Sequence, residues 1–163
     1  MLRPAKSNRA PLPPLTAAPY GKKTAGRIYA EIELINGGDL ALLRHGDNLP
    51  AGIRHLRVNA RVDGGAYMLT FNETVKAKLD LLVVHERIVK RADESEITVE
   101  IVGPVEIRFE NRSTTMNTMI LPDIEEIWLG SIPLSDLDVV IDAEQQKLIV
   151  NPAHPDMAQK HLK

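Results

Sequence analysis

One segment of the chain combines a carboxyl group with unusual backbone freedom. Asp63 follows Val62 at the end of a predicted strand, and Gly64 and Gly65 come directly after it. Glycine permits tight turns and lets the backbone approach another chain or a ligand closely. A carboxyl group held in such a turn could take part in acid–base chemistry. The same residues also fit an ordinary β-turn with an exposed Asp, so this segment alone leaves both interpretations open.

A second segment lies about sixty residues further along the chain. The apolar run that begins at Ile127 ends in Gly130, a short helix is predicted over Pro133–Leu137, and a strand is predicted over Val139–Asp142. Taken alone, this pattern indicates a buried strand followed by a turn.

Together the two segments resemble the retropepsin-like aspartic protease family. In that family an apolar–apolar–Asp-Thr-Gly-Ala segment forms the active-site loop, and a downstream apolar–apolar–Gly segment packs against it. The resemblance extends from about Arg27 to Pro152. It implies that Asp63 is catalytic. It also implies an active-site loop, which comprises Gly64, Gly65 and Ala66. A supporting motif is implied as well, and it comprises Trp128, Leu129 and Gly130.

The resemblance also implies a two-carboxyl mechanism and a homodimer. Two carboxyl groups in close contact share one proton, so one can activate water while the other protonates the scissile carbonyl. The chain offers a single Asp-Gly-Gly-Ala loop, so the second carboxyl group must come from Asp63 of another copy on a two-fold axis. The expected partners are a second copy and an extended polypeptide substrate, and no cofactor is expected.

Two residues depart from the family pattern. Gly64 stands where the family has Thr or Ser, whose hydroxyl makes hydrogen bonds across the dimer. The resemblance therefore predicts a retained fold with a weakened activity. Arg61 stands where an apolar residue is common, and strand alternation allows its side chain to point outward.

A flap over the cleft is expected between two predicted strands. The candidate turn is acidic and lacks the glycine that the family often has there. One interpretation is a mobile lid over an extended peptide, and the other is an ordinary hairpin tip. The candidate flap residues are Asp93, Glu94, Ser95 and Glu96.

Many short strands must position these residues. Residues 27–35 alternate with period two, Asn36-Gly37-Gly38-Asp39 predicts a hairpin turn, and Leu40–Arg44 is the predicted return strand. Asn72 is a candidate cap for a helix over Glu73–Leu79. Further strands are predicted over residues 53–62, 82–89, 97–102, 105–110, 114–121, 139–142 and 147–150. The expected fold is all-β: a retropepsin-like closed β-barrel or sandwich with one or two short helices, as a single dimerising lobe.

Composition limits the remaining possibilities. The 163 residues are 44% hydrophobic and 26% charged, as in ordinary globular domains. Because there is no Cys, disulfides and thiolate chemistry are excluded, and a cytoplasmic location is expected. The five histidines have no metal-ligand spacing, so no metal site is expected. No apolar run approaches the roughly 18–20 residues of a membrane span, so no membrane association is expected.

Charge and proline content divide the chain. Residues 1–25 form a predicted basic, Pro-rich disordered leader, residues 26–152 the protease-like domain, and residues 153–163 a C-terminal tail. After residue 30 the chain has 14 basic and 22 acidic residues, so no nucleic-acid partner is expected. Two alternatives to an active peptidase stay open. One is a catalytically inactive homodimeric or peptide-binding module with the same fold, and the other is an all-β domain unrelated to proteases.

Overall fold

The computed structural model describes residues 17–162. Within them, short strands alternate with three short helices. The strands are β1 (Tyr29–Asn36), β2 (His55–Val62), β3 (Thr70–Phe71), β4 (Leu82–Lys90), β5 (Glu96–Phe109), β6 (Arg112–Ile120), β7 (Ile127–Leu129), β8 (Val139–Asp142) and β9 (Lys147–Val150). The helices are α1 (Gly37–Arg44), α2 (Glu73–Leu79) and α3 (Ser131–Leu137).

Six strands close into a mixed β-barrel. Their order is β1-β2-β7-β3-β6-β5, and β1 also pairs with β5, which closes the ring. β4 pairs only with β5 and lies outside the ring, while β8 and β9 form a separate hairpin. Most pairings are antiparallel, but β2–β7 and β3–β6 are parallel. The predicted all-β barrel is confirmed.

The barrel interior is mainly aliphatic, in keeping with the low aromatic content. Inward side chains from every barrel strand meet α2 and α3 in one cluster. Its completely buried members include Leu34, Val58, Phe71, Ile107 and Leu129. This packed interior fixes the strand ends on which the candidate site is built.

The predicted hairpin at residues 36–44 is wrong, because these residues form α1. Asn36 caps this helix: its Oδ1 accepts the amide of Asp39 at 3.1 Å. Its Nδ2 donates to the carbonyl of Leu79 at 2.9 Å, which ties α1 to the end of α2. Gly37 is not among the glycines with positive φ and packs closely against Pro104, since an added Cβ would lie 3.0 Å from the Pro104 carbonyl oxygen. The antiparallel neighbours of β1 are β2 and β5, and not residues 40–44.

Other elements follow the sequence more closely. Asn72 caps α2 by accepting the amide of Val75 at 3.2 Å, as predicted. The strands predicted over 97–102 and 105–110 form one long strand, β5, with a register irregularity between Val102 and Val105. The predicted helix within α3 and the closing β8–β9 hairpin are both present.

The described segments on both sides of the barrel pack against it. Most of the predicted leader, residues 1–16, lies outside the described residues. Tyr20 lies beside β2, and its amide donates a hydrogen bond to the Arg57 carbonyl at 2.8 Å. After β9, the C-terminal tail packs back against the corner between α3 and β8. In residues 17–162 no helix has the length and apolar character needed to cross a membrane.

Candidate active site

Asp63 is the first residue after β2, and the neighbouring strand holds its backbone in place. β2 runs parallel to β7 up to the Val62–Leu129 pair, and the amide of Asp63 then donates to the Leu129 carbonyl at 3.1 Å. The Asp63 side chain is about one-third exposed, at 29%. Its Oδ1 accepts the amide of Gly65 at 3.0 Å, which orients the carboxyl group within its own loop.

The active-site loop and the supporting motif, which are sixty residues apart in sequence, are in direct contact. The Ala66 carbonyl accepts the amide of Ser131 at 2.8 Å, and the Tyr67 carbonyl accepts the amide of Ile132 at 3.2 Å. Both donors lie at the start of α3, directly after Gly130. The corner between β7 and α3 is therefore fastened to the backbone of the loop.

Gly130 is the point of closest approach in this contact. A Cβ at this position would lie 2.6 Å from the Met68 carbonyl oxygen and 2.8 Å from that of Ala66. Its φ of −84° and ψ of −175° are open to any residue, so close packing and not backbone conformation requires glycine here. The glycine that ends the apolar run thus determines how closely α3 seats on the loop.

Arg61 lies beside Asp63 at the end of β2. Residues 61 and 63 project to the same side because strand side chains alternate. Arg61 Nη2 is 3.8 Å from Asp63 Oδ2, and Arg61 Nη1 is 4.0 Å from Glu126 Oε1. Tyr29 Oη donates to Glu126 Oε2 at 2.9 Å and accepts the Thr24 amide at 2.7 Å. The period-two spacing signals the Arg61–Asp63 contact, but the sequence gives no signal for Glu126 and Tyr29.

Gly64 leaves open space at the centre of the loop. A Cβ built there meets no heavy atom within 4 Å, and the φ of Gly64 is not in the left-handed region. The local backbone of this chain therefore admits a Thr or Ser side chain at position 64.

An open groove of about 650 Å³ separates the loop from the β4–β5 hairpin. Its lining is mainly apolar and includes Tyr67, Met68, Val89, Ile97, Met119 and Trp128. Trp128 reaches this position because β7 lies between β2 and β3. The groove is bounded on one side by the Gly65–Met68 backbone and on the other by an arm of the hairpin.

The flap candidates form the tip of this hairpin. Asp93 Oδ1 accepts the amide of Ser95 at 2.9 Å and its hydroxyl at 2.5 Å, and these hydrogen bonds lower the pKa of Asp93. Glu94 adopts a left-handed φ of 69°, the conformation for which glycine is favoured. Arg91, which lines the groove, pairs with Asp123 at 3.2 Å and links the hairpin to the segment after β6. Asp93, Glu94, Ser95 and Glu96 do not themselves line the groove.

Ionisable residues elsewhere in the described part of the chain do not gather into a metal centre. No group of three or more His, Asp or Glu side chains in residues 17–162 has the arrangement of a metal site. Asp142, the last residue of β8, accepts the amides of Glu144 and Gln145 at 3.0 and 3.1 Å in the β8–β9 turn.

These features define a retropepsin-like fold: a closed six-stranded mixed barrel with an Asp-Gly-Gly-Ala loop on a parallel strand pair. Among solved structures, the retroviral protease-like domain of Ddi1 from Leishmania major matches with a TM-score of 0.50 and 15% sequence identity. The match covers 79% of this chain and 91% of that chain. No protein-family model matches the sequence, and no curated protein matches it. At this identity the likeness establishes the fold alone.

Proposed function

We propose that the protein is an aspartic endopeptidase that acts as a homodimer through paired Asp63 side chains. The observation that carries the proposal is the placement of Asp63 after β2, oriented by the Gly65 amide in a loop fixed by Gly130. A barrel of this size supplies one such loop, so the second carboxyl group comes from a second copy.

The chemistry follows from the pairing of two carboxyl groups. They share one proton, because two carboxylates in contact cannot both ionise at low cost. The ionised carboxylate removes a proton from a water molecule, which attacks the scissile carbonyl carbon. The protonated carboxyl group donates its proton to the carbonyl oxygen. As the amide C–N bond breaks, the carboxyl group that took the proton of the water donates it to the leaving nitrogen. The other carboxylate takes a proton from a hydroxyl of the tetrahedral intermediate, so the pair again holds one proton.

The groove provides a place for the substrate. Its apolar lining and the neighbouring β4–β5 hairpin suit an extended polypeptide with apolar side chains. In this proposal the hairpin tip, residues 93–96, serves as a flap that closes over the bound chain.

Cleavage of a peptide mixture between pH 4 and pH 6 tests the proposal. Asp63→Asn keeps the shape of the side chain but removes its acid–base function. We therefore expect it to reduce kcat/KM by roughly 100-fold or more. Asp142→Asn is the matched control: an Asn side chain can still accept the turn amides, so its activity should stay at the wild-type level. Specific activity should also rise with protein concentration as dimers form. Equal activity of wild type and Asp63→Asn would overturn the proposal.

A second candidate function is a non-catalytic homodimeric or peptide-binding module, which the missing hydroxyl at Gly64 favours. Binding of a statine-type transition-state mimic, followed by calorimetry, discriminates between the two functions. A competent carboxyl pair should bind the mimic tightly, and Asp63→Asn should abolish this binding. An inactive module should bind the mimic weakly, and to the same extent in both proteins.

A further inference from the structure

Arg87, in the middle of β4, directs its side chain toward the groove. Val89, two residues further along β4, lines the groove together with its cross-strand partner Ile97. Because residues two apart in a strand project to the same side, Arg87 shares the groove-facing side of β4 with Val89. The position of the guanidinium group agrees with this direction, since Arg87 Nη1 lies 3.9 Å from Sδ of the groove-lining Met68.

The contacts of Arg87 leave its positive charge without a negative partner. Arg87 Nη2 lies 3.3 Å from His85 Nε2, and the other neighbour of the guanidinium group is Met68. Within residues 17–162, Arg87 makes no ion pair with an Asp or Glu side chain. Arg91, by contrast, pairs with Asp123 at 3.2 Å. A guanidinium group offers N–H donors in a planar fork that matches a carboxylate, so Arg87 is suited to bind a carboxylate of another molecule.

The groove is positively charged, although the domain around it is acidic. After residue 30 the chain has 14 basic and 22 acidic residues. Among the residues that line the groove, however, Lys90 and Arg91 are basic and only Asp123 is acidic. Arg87 adds a further positive charge on the β4 side. The charge of the groove therefore complements a peptide that carries an acidic side chain.

The other charged groups near the groove are at the hairpin tip and at the loop. The acids of the tip, in residues 93–96, do not line the groove. At the loop, Arg61 lies 3.8 Å from Asp63 and 4.0 Å from Glu126. The β1–β2 register, continued by two residues from the Tyr29–Arg61 pair, places Arg27 opposite Asp63. None of these acids is in contact with the guanidinium group of Arg87.

We infer that Arg87 is a specificity-determining residue that selects extended polypeptides with an acidic side chain beside the apolar residues that fill the groove. The inference rests on the proposed function and names its substrate class. The carboxylate of the peptide binds the guanidinium group, while neighbouring apolar side chains of the peptide pack against Val89 and Met68. Because side chains of an extended peptide alternate between two sides, an acid can reach Arg87 only from particular positions of the peptide.

Peptide binding to the Asp63→Asn variant tests the inference without cleavage of the probe. The probes are short uncharged peptides of Ala, Val, Leu and Thr in which a single Glu, Gln or Lys is placed at each position in turn. Fluorescence anisotropy measures their dissociation constants. At one or two positions, the Glu peptide should bind roughly five-fold more tightly than the Gln peptide, and the Lys peptide more weakly than either. This preference should decrease as the salt concentration rises.

Substitutions at position 87 identify the source of the preference. In the same Asp63→Asn background, Arg87→Gln should remove the preference for Glu, and Arg87→Glu should reverse it in favour of Lys. Because Arg87 is exposed, both variants should fold like their parent. Arg57→Gln is the matched control, since it removes the same charge from β2, where Arg57 pairs with Glu31 outside the groove. This control should keep the preference for Glu.

Equal binding of the Glu and Gln peptides at every position would overturn the inference, and so would an absence of peptide binding. A preference for Glu that persists in Arg87→Glu would also overturn it. Cleavage of the same peptides by the wild type separates the inference from the proposed function. Cleavage that does not depend on Glu would overturn the inference alone. Selective binding through Arg87 without cleavage of the bound peptide would overturn only the proposed function.

Discussion

Gly64 is the residue at which this chain departs most from its resemblance to the proteases. Its surroundings leave room for a Cβ, and its φ permits a branched side chain. Gly64→Thr would supply the hydroxyl that, by the resemblance, makes hydrogen bonds across the dimer. With about 1 kcal/mol for each of two symmetric bonds, the dimer dissociation constant should fall roughly 30-fold. Sedimentation measures this constant, and peptide cleavage at low protein concentration should rise with the fraction of dimer.

Gly64→Val is the matched control for this prediction. Val has the shape and the β-branching of Thr but no hydroxyl, and both replace the flexible Gly64 with a stiffer residue. If Gly64→Val tightens the dimer as much as Gly64→Thr does, the effect comes from backbone restriction. If neither changes the dissociation constant, the missing hydroxyl is not what limits the pairing.

Among the contacts between elements, the candidate site depends most on the one between α3 and the active-site loop. Gly130→Ala would place a methyl group within 2.6 Å of the Met68 carbonyl oxygen, and rigid backbone on both sides leaves little room for adjustment. We expect the free energy of unfolding to fall by roughly 2–3 kcal/mol, as for an overpacked core position. Denaturant titration measures the loss. Gly64→Ala is the control, since its added methyl group meets no heavy atom within 4 Å. A neutral Gly130→Ala would show that the corner can move freely away from the loop.

The elements differ in how far the sequence could predict them. Asn36 and Asn72 both cap helices through a side-chain oxygen, yet only the helix after Asn72 was predicted. At Asn36 the following two glycines also match a hairpin turn. The choice between a helix and a hairpin turn depends on two contacts with residues distant in sequence. Asn36 binds the Leu79 carbonyl, and Gly37 packs against Pro104. Neither contact can be predicted from the local sequence.

The residues of the candidate site also differ in how far the sequence could predict them. Asp63 and Gly130 became candidates through the resemblance, because glycines that follow apolar strands are part of the two motifs that carry it. Arg61 could have been placed by strand alternation alone. Glu126 and Tyr29 reach the site only through the pairing of β1, β2 and β7, so their role depends on the assembled barrel.

At the scale of the whole molecule, the C-terminal tail ties distant parts of the chain together. Asp138, which ends α3 in a left-handed conformation, accepts the amide of Gln159 at 3.0 Å and the side-chain amide of Asn151 at 2.9 Å. Its Oδ2 also lies 2.6 Å from His154 Nδ1. The buried Arg112, at the start of β6, donates to the His154 carbonyl and so joins the tail to the barrel.

This arrangement predicts that tail docking is sensitive to acid. The hydrogen bonds from Gln159 and Asn151, followed by the contact with His154, lower the pKa of Asp138 well below its ordinary value of 3.8. A lowered folded-state pKa gives stabilisation that is present above the unfolded pKa and is lost as the pH falls through the folded one. Hydrogen exchange of residues 151–160, corrected for its intrinsic pH dependence, should therefore show protection at pH 5 that declines below about pH 4.

Asp138→Asn is the variant that isolates this carboxylate. Asn tolerates the left-handed backbone of position 138 but carries no charge, so it accepts hydrogen bonds more weakly. We expect the protection of the tail at pH 5 to fall to the level that the wild type reaches in acid, with little further change as the pH is lowered. Asp156→Asn, which changes an exposed acid within the tail, should behave like the wild type. If Asp138→Asn keeps both the protection and its decline in acid, another group controls the docking, and Asp138 only ends the helix.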